Sequence, residues 1–570
     1  MQKKNVYLQL EIGKVLDSYL GSAHDENTIL SFKNIRIADE AEEYPEHLLQ
    51  HLYALDLQHY LLPKEHGGKL NNFEEMGFIL RIISQRDLTL GLSFCMPFLG
   101  ACPAWIAGKD EGLELAKNLI KQGHRIAMGL TEHEHGSDLL ADECFAVPEG
   151  ENVVINGKKW LINHSTKAHA YMVFVSENQQ HGPRGYSFYL IDKQFLNEAN
   201  FQTHGKIRTH GVRGADMGSF SFKQLKIPTS ARIGKSGQGL EILLKVFNVT
   251  RSVAPCLALG ATDTALRLVM QFTLERTLYG QPVFAIPHAQ ETMVHAFADY
   301  LLAECCSIIS LRALNFFPEK MSLYSSICKY LVPTQCEAIL ADLAKILGAR
   351  YYLRDEYYHG MFQKILRDVP LISFGDGNSL VNLHSILLQM TAVFGRNKQE
   401  KIEQAETFFN LGETPPEIDL ASITLSCHGG DIIFNMLNQY WDVIRDYLHA
   451  DAEVLPLLDE LKQQIQAMVQ WIQERPACIP YQEPYEWFIY GKKFCTLQAI
   501  ASAVLLWFFN QKGQSKLLND LHILKLLLIH TLHPTTPLPS NLLQHVAAEL
   551  KERTEKNYLF SVYPFGTIHL

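Results

Sequence analysis

Asp376 stands alone between two glycines in Ser373-Phe374-Gly375-Asp376-Gly377-Asn378, a short polar turn between helical stretches. An isolated carboxylate in such a turn is ordinarily a solvated turn residue. Glycine also permits unusual backbone angles and close approach to a ligand, so the same segment is able to present the carboxylate into a cleft. There its chemistry would be proton removal, because burial raises a carboxyl group toward the range in which it works as a general base. Local sequence leaves both readings open. A second pointed stretch is 131–138, where His133, Glu134 and His135 crowd together. Two histidines at i and i+2 with a glutamate suggest a metal, but no third ligand is evident, and no metal is assigned.

The elements that must position these residues change character along the chain. Up to about residue 122, apolar residues recur three and four apart, as in 7–20, 48–60 and 78–83, the spacing of amphipathic helices. From Arg125 the period becomes two. Segments 125–130, 153–162, 169–175, 186–191 and 219–227 are rich in β-branched and aromatic residues and separated by Gly, Asn and Pro. Asn156-Gly157 is a two-residue hairpin signal. Helical periodicity returns at Gly237, with segments 239–274, 288–315, 322–347 and 379–394, which favour a bundle. Pro255 should kink or interrupt the first. A charged stretch from Lys398 and the sequence Gly412-Glu413-Thr414-Pro415-Pro416 lead into further helical sequence. The expected fold is mainly α with an inserted β domain. It comprises an N-terminal helical domain (1–122), a β-barrel-like middle domain (123–230), a four-helix bundle (231–395) and a C-terminal helical extension (396–570).

Composition narrows the function classes. The 570 residues, 47% hydrophobic and 20% charged, suit a globular protein with more than one core. A net charge of −10 argues against a nucleic-acid partner, which requires a concentrated basic surface. Eleven cysteines form no CxxC pair, and Cys305-Cys306 lie side by side in a helical pattern. That suits buried thiols in a reducing compartment, so a cytoplasmic location is expected. The first residues mix Glu11 and Asp17 into an apolar period, the pattern of an amphipathic helix and not of a signal peptide. Runs such as 501–509 and 523–529 fall short of the roughly 20 apolar residues that span a bilayer, so no transmembrane segment is expected.

Residues 1 to about 395 resemble the acyl-CoA dehydrogenase family in several separated stretches. The sequence Thr131-Glu132-His133-Glu134-His135-Gly136-Ser137-Asp138 is similar to the family's TEPGAGSD loop, and 155–163 to its INGxKxWITN segment. Glu275-Arg276-Thr277-Leu278-Tyr279-Gly280, followed by Gln290, is close to its ERxxFG. Ile346-Leu347-Gly348-Ala349 and Leu366-Arg367-Asp368 follow in family order, and Gly375-Asp376-Gly377 takes the place of its YEGT. The resemblance implies FAD. By it, Met128, Leu130, Thr131, Gly136 and Ser137 lie along the cofactor, with Thr131 at the ring edge and Ser137 at the pyrophosphate. Trp160, Leu161 and Ile162 flank the isoalloxazine, Trp160 packing against it. Arg276 pairs with the pyrophosphate of a neighbouring subunit's FAD, Lys345 and Gly348 lie near its adenosine, and Asn378 is a further cofactor contact. Ser137, Arg251 and Gly377 face the substrate. The chain also departs from the family. Ile162 stands where a threonine is usual, Lys345 and Ala349 replace glutamine and glycine, Leu380 replaces a polar contact, and His133-Glu134-His135 replace Pro-Gly-Ala.

The reaction so implied is α,β-desaturation of an acyl thioester carried by coenzyme A or an acyl carrier protein. A carboxylate takes the α-proton and the β-hydrogen leaves as hydride to flavin N5, while the backbone N–H of the base residue helps hold the enolate oxygen. Asp376 is the expected base, one methylene shorter than the family's glutamate, with Gly375 in place of a tyrosine to let the backbone advance. Thr250, at the alternative base position before Arg251, cannot serve. An electron-accepting flavoprotein and assembly as a homodimer or homotetramer are implied as well. Two other readings stay open: a flavin oxidase, and a non-catalytic homologue used as a binding or assembly module.

Overall fold

A computed structural model describes residues 8–179, 182–395, 402–427, 429–449, 451–480 and 482–566. The expected break at 395/396 and the start of the charged stretch fall on 396–401, outside the described residues.

Helices lead to Lys121, strands occupy the region from Ile126 to Ile233, and long helices resume at Gly239. The strands are β1 (Ile126–Gly129), β2 (Phe145–Glu149), β3 (Asn152–Asn163), β4 (Ala170–Glu177), β5 (Tyr186–Asp192), β6 (Phe201–Lys206), β7 (Met217–Pro228) and β8 (Arg232–Ile233). They form one sheet in the order β6-β7-β3-β2-β4-β5-β8, with β1 added parallel to β4. Side chains alternate across it, as a pleated strand requires. In β4, Ala170, Met172 and Phe174 join the core shared with the helices, while Tyr171, Val173 and Val175 join a second core with Phe220 and Phe222.

The Asn156-Gly157 hairpin expectation is corrected. β3 runs straight through this dipeptide, with a register shift between Ile155 and Gly157, and the hairpin turn lies at Gly150-Glu151. Gly157 serves a close approach: a Cβ there would stand 2.6 Å from the Cys144 Cα. The dipeptide therefore marks a bulge.

The helical bundle contains Gly239–Val253, Pro255–Glu275, Pro287–Phe316, Met321–Leu347 and Ser379–Gly395. Pro255 interrupts the first segment by starting a new helix, where its missing N–H costs nothing. Helix Leu88–Ala107 is almost wholly buried and packs against both β1 and Gly239–Val253, joining sheet to bundle. Beyond the bundle, Tyr485–Phe509 lies against Pro287–Phe316 and Ser379–Gly395. After helix Ser540–Glu555 the tail turns back into the bundle. The Phe560 N–H donates to Asp263 at 2.9 Å, the Val562 N–H to Glu304 at 2.7 Å and the Tyr563 hydroxyl to Glu74 at 3.0 Å.

The expectation about apolar stretches also needs correction. Leu88–Ala107, Gly239–Glu275, Pro287–Phe316 and Tyr485–Phe509 are long and apolar enough, by length and composition, to cross a bilayer. Scattered polar residues break their apolar runs without removing that character. Between 72% and 89% of each apolar window is buried inside the protein, so this surface serves helix packing.

Candidate active site

A cavity of about 460 Å³ opens where the N-terminal helices, the sheet and the bundle meet. Its walls are Leu92, Met96 and Leu99 on Leu88–Ala107, the loop after β1, the end of β3, and Leu244, Phe247 and Arg251 on Gly239–Val253. Lys329 and the 374–377 turn close it. A second cavity, about 520 Å³, lies between Ser379–Gly395 of the bundle and Ile432–Gln439 and Val454–Gln473 of the extension. It touches none of the residues singled out from sequence, and the chemistry belongs to the first.

The turn is built from both sides. Helix Pro370–Phe374 ends at Gly375, and Asn378 Oδ1 accepts the Val381 N–H at 2.9 Å, capping Ser379–Gly395. Between them Asp376 takes a left-handed φ of 57°, costly for a residue with a Cβ. Gly377 follows at φ 98°, and a Cβ there would stand 2.7 Å from Arg251 Nη2. Gly375, expected to supply the conformational freedom, has an ordinary φ of −63°. The strain sits on the carboxylate-bearing residue itself.

Two buried cations hold that strain. Arg251 Nε donates to the Asp376 carbonyl at 3.0 Å, and Lys329 Nζ donates to the carbonyls of Ile372 (2.7 Å) and Gly377 (3.2 Å). Burial pulls Arg251 down to about 10 and Lys329 down to about 8, each against the attraction of Asp376. Among the described residues, no hydrogen bond or ion pair reaches the Asp376 carboxylate. No partner engages its N–H either. Sequence reasoning missed Lys329. Its signal was a lysine as the single charged residue of 321–336, the first part of helix Met321–Leu347, since lysine is almost never buried without a partner.

The loop after β1 is fastened to the sheet from beneath. The Trp160 N–H donates to the Thr131 carbonyl at 2.8 Å. Buried Lys159 Nζ donates to the Leu130 carbonyl, Glu132 and Asp142 at 2.8–2.9 Å, and Glu132 accepts the N–H groups of Glu143 and Cys144. Burial pushes Asp142 up to about 6 against the pull of Lys159. A register shift between Lys159 and Ile162, with Leu161 at φ 58°, brings Leu161, Ile162 and Asn163 onto the cavity. Trp160 is not part of the lining; its ring meets His133 edge-on at 5.0 Å. Met128, Leu130, Thr131, Gly136 and Ser137 all line it.

These residues fit one end of a flat cofactor with an apolar ring and polar edges. Met128, Leu130, Leu161, Ile162 and Met217 supply apolar surface. Both amide atoms of Asn163, which also lines the cavity, are buried without a partner, a polar demand that a ligand edge would meet. Arg276, Lys345 and Gly348 are exposed at helix C-terminal ends outside the cavity, and Lys345 pairs with Asp342 at 2.6 Å. They are placed to act only on something outside their own chain's cavity. Arg367 and Asp368 join domains instead: Arg367 binds Asp39 at 2.6 Å, and Asp368 accepts the Val212 N–H at 2.6 Å.

Comparison with known proteins agrees with this architecture. Residues 127–225 match the family model "Acyl-CoA dehydrogenase, middle domain", and 237–390 match "Acyl-CoA dehydrogenase, C-terminal domain". Cyclohex-1-ene-1-carbonyl-CoA dehydrogenase of Geobacter metallireducens is 24% identical over 349 residues, covering 60% of this chain and 89% of that protein. Among solved structures, an acyl-CoA dehydrogenase complexed with FAD from Bacillus anthracis superposes with a TM-score of 0.69 at 16% identity, covering 98% of this chain and 92% of that one. The prolyl acyl carrier protein oxidase AnaB gives 0.60 at 17% identity, over 66% and 97%. The Bacillus anthracis structure, matched over 98% of this chain, also accompanies the C-terminal extension. With both models matched in order around one cavity, the chain carries the middle and C-terminal domains of acyl-CoA dehydrogenases over 127–225 and 237–390.

Proposed function

We propose that this protein is an FAD-dependent oxidoreductase that dehydrogenates an acyl thioester at its α,β bond, with Asp376 as the α-proton base. One observation carries the reading: a carboxylate without a partner, on a strained turn, lines a mostly apolar cavity between two buried cations. Thr131, Leu161, Ile162 and Asn163 would hold the isoalloxazine end of FAD, and Ser137 at the cavity mouth would meet its phosphates. FAD bound there would supply a two-electron acceptor, at N5, for the β-hydrogen.

The chain's own residues do the rest. The Asp376 carboxylate removes the α-proton. Its unengaged N–H is available to the developing enolate oxygen, where a preorganised donor contributes most. Arg251 and Lys329 hold the turn from the carbonyl side, so the base enters the reaction already oriented. Leu92, Met96, Leu99 and Leu257 give the acyl chain an apolar wall that excludes water.

The thioester is carried by coenzyme A or an acyl carrier protein, and the relatives include enzymes named for each. Electrons pass on to a partner flavoprotein. Exposed Arg276, Lys345 and Gly348 would meet a second copy's cofactor in a homodimer or homotetramer. Ten of the eleven free cysteines are buried, in keeping with the cytoplasm. The test is anaerobic mixing of the FAD-loaded protein with acyl-CoA and acyl-carrier thioesters. Bleaching of the flavin band by one class assigns the carrier. A colourless protein that takes up no FAD would favour a binding module, and rapid reoxidation by oxygen would favour an oxidase.

A further inference from the structure

Away from the cavity, Asp520, His522 and His545 bring one carboxylate and two imidazoles together on the outside of the C-terminal extension. Asp520 precedes helix Leu521–Leu532, and its Oδ1 accepts the His522 N–H at 2.9 Å, which fixes the carboxylate. His522 lies in the first turn of that helix, and His545 reaches across from Ser540–Glu555. His545 Nε2 stands 2.7 Å from Asp520 Oδ2, and His522 Nδ1 stands 3.2 Å from Oδ1. The two rings stack at 4.0 Å between centroids and 21° between planes.

All three ligand atoms lie within 4.8 Å of one another. Around a tetrahedral ion with bonds of about 2.0–2.1 Å, ligand atoms stand about 3.3 Å apart. Small side-chain rotations therefore bring this trio to coordinating distance. Two imidazole nitrogens with one carboxylate oxygen suit a borderline divalent ion such as zinc, and poorly suit calcium or magnesium.

We propose that Asp520, His522 and His545 form a binding site for one zinc-type divalent transition cation, with water completing the shell. The ion ties Leu521–Leu532 to Ser540–Glu555, the helix that delivers the 556–566 tail to its buried partners in the bundle. Both imidazoles are partly exposed, so the ion exchanges with solvent.

Isothermal titration of zinc chloride into EDTA-treated full-length protein tests this. One equivalent binds, and the melting temperature rises with zinc. His522→Gln and His545→Gln, both substitutions of exposed side chains, each weaken binding by at least about tenfold, and together they abolish the binding and the zinc-dependent rise. Melting without zinc checks that the variants fold. Absence of saturable binding by the native protein, or a zinc-dependent rise that survives in the double variant, overturns the proposal. Neither readout involves FAD or turnover, so the result is independent of the proposed activity.

Discussion

Two regions of this molecule use the same ingredients, buried cations beside carboxylates, to opposite ends. In the clamp that receives the C-terminal tail every carboxylate is engaged. Glu304 accepts from Arg81, the Ser561 hydroxyl and the Val562 N–H, while Glu74 accepts from Arg312 and the Tyr563 hydroxyl. At the 374–377 turn the cations bind only backbone carbonyls, and the Asp376 carboxylate is left to the cavity. A network whose carboxylates are all engaged locks a structure, whereas a supported but unsatisfied group is ready for chemistry. The clamp should therefore respond to mutation in stability, and the turn in rate.

The largest stability effect should follow loss of Glu304. Glu304→Ala leaves Arg81 buried without its main counter-charge, and stability falls by about 3–5 kcal/mol, read by urea denaturation, with little change in the rate of flavin reduction per folded molecule. Lys329→Met should reverse that pattern. It removes the donor from two turn carbonyls, and displacement of Asp376, the proposed base, slows anaerobic flavin reduction about 10- to 100-fold.

Lys329 also gives the comparison a pH signature. Burial holds it at about 8, below the ordinary lysine value. Between those two values the unfolded chain carries a proton that the folded chain has lost, so this group's contribution to stability rises with pH across that window. Its grip on the turn runs the other way, because an amine donates more weakly than an ammonium. Arg251, Asp376 and Cys328 are the charged or titratable groups acting on it. Flavin reduction should decline above pH 8, and Lys329→Arg should remove that decline.

Smaller effects separate the two glycines. Gly377→Ala, at φ 98° and against Arg251, should cost more than about 1 kcal/mol and slow reduction. Gly375→Ala, at an ordinary φ with only the Leu371 carbonyl at 3.3 Å, should stay within about 0.5 kcal/mol.

Legibility in the sequence follows the range of the interactions. The alternation of β4 and the long bundle helices could be read locally, because strand and helix periods are written in neighbouring residues. Asn156-Gly157 misled, since its glycine answers to Cys144 and not to a turn. Helix Leu88–Ala107, one wall of the cavity, was hard to single out because it is apolar on all sides and carries Pro97 and Pro103. The tail clamp was invisible: the bond from Tyr563 to Glu74 joins residues at opposite ends of the chain. The cavity-lining loop and turn were marked by family resemblance. The cations that support the turn come from helices distant in sequence, and only folding brings them together.

The proposed role of Asp376 as the base has a direct test. Stopped-flow reduction of the FAD-loaded protein by its preferred thioester, without oxygen, compares the native chain with Asp376→Asn. The variant should keep its flavin and its melting temperature, with flavin reduction about 10²- to 10⁴-fold slower. Bleaching at the native rate in a variant that retains FAD would contradict it.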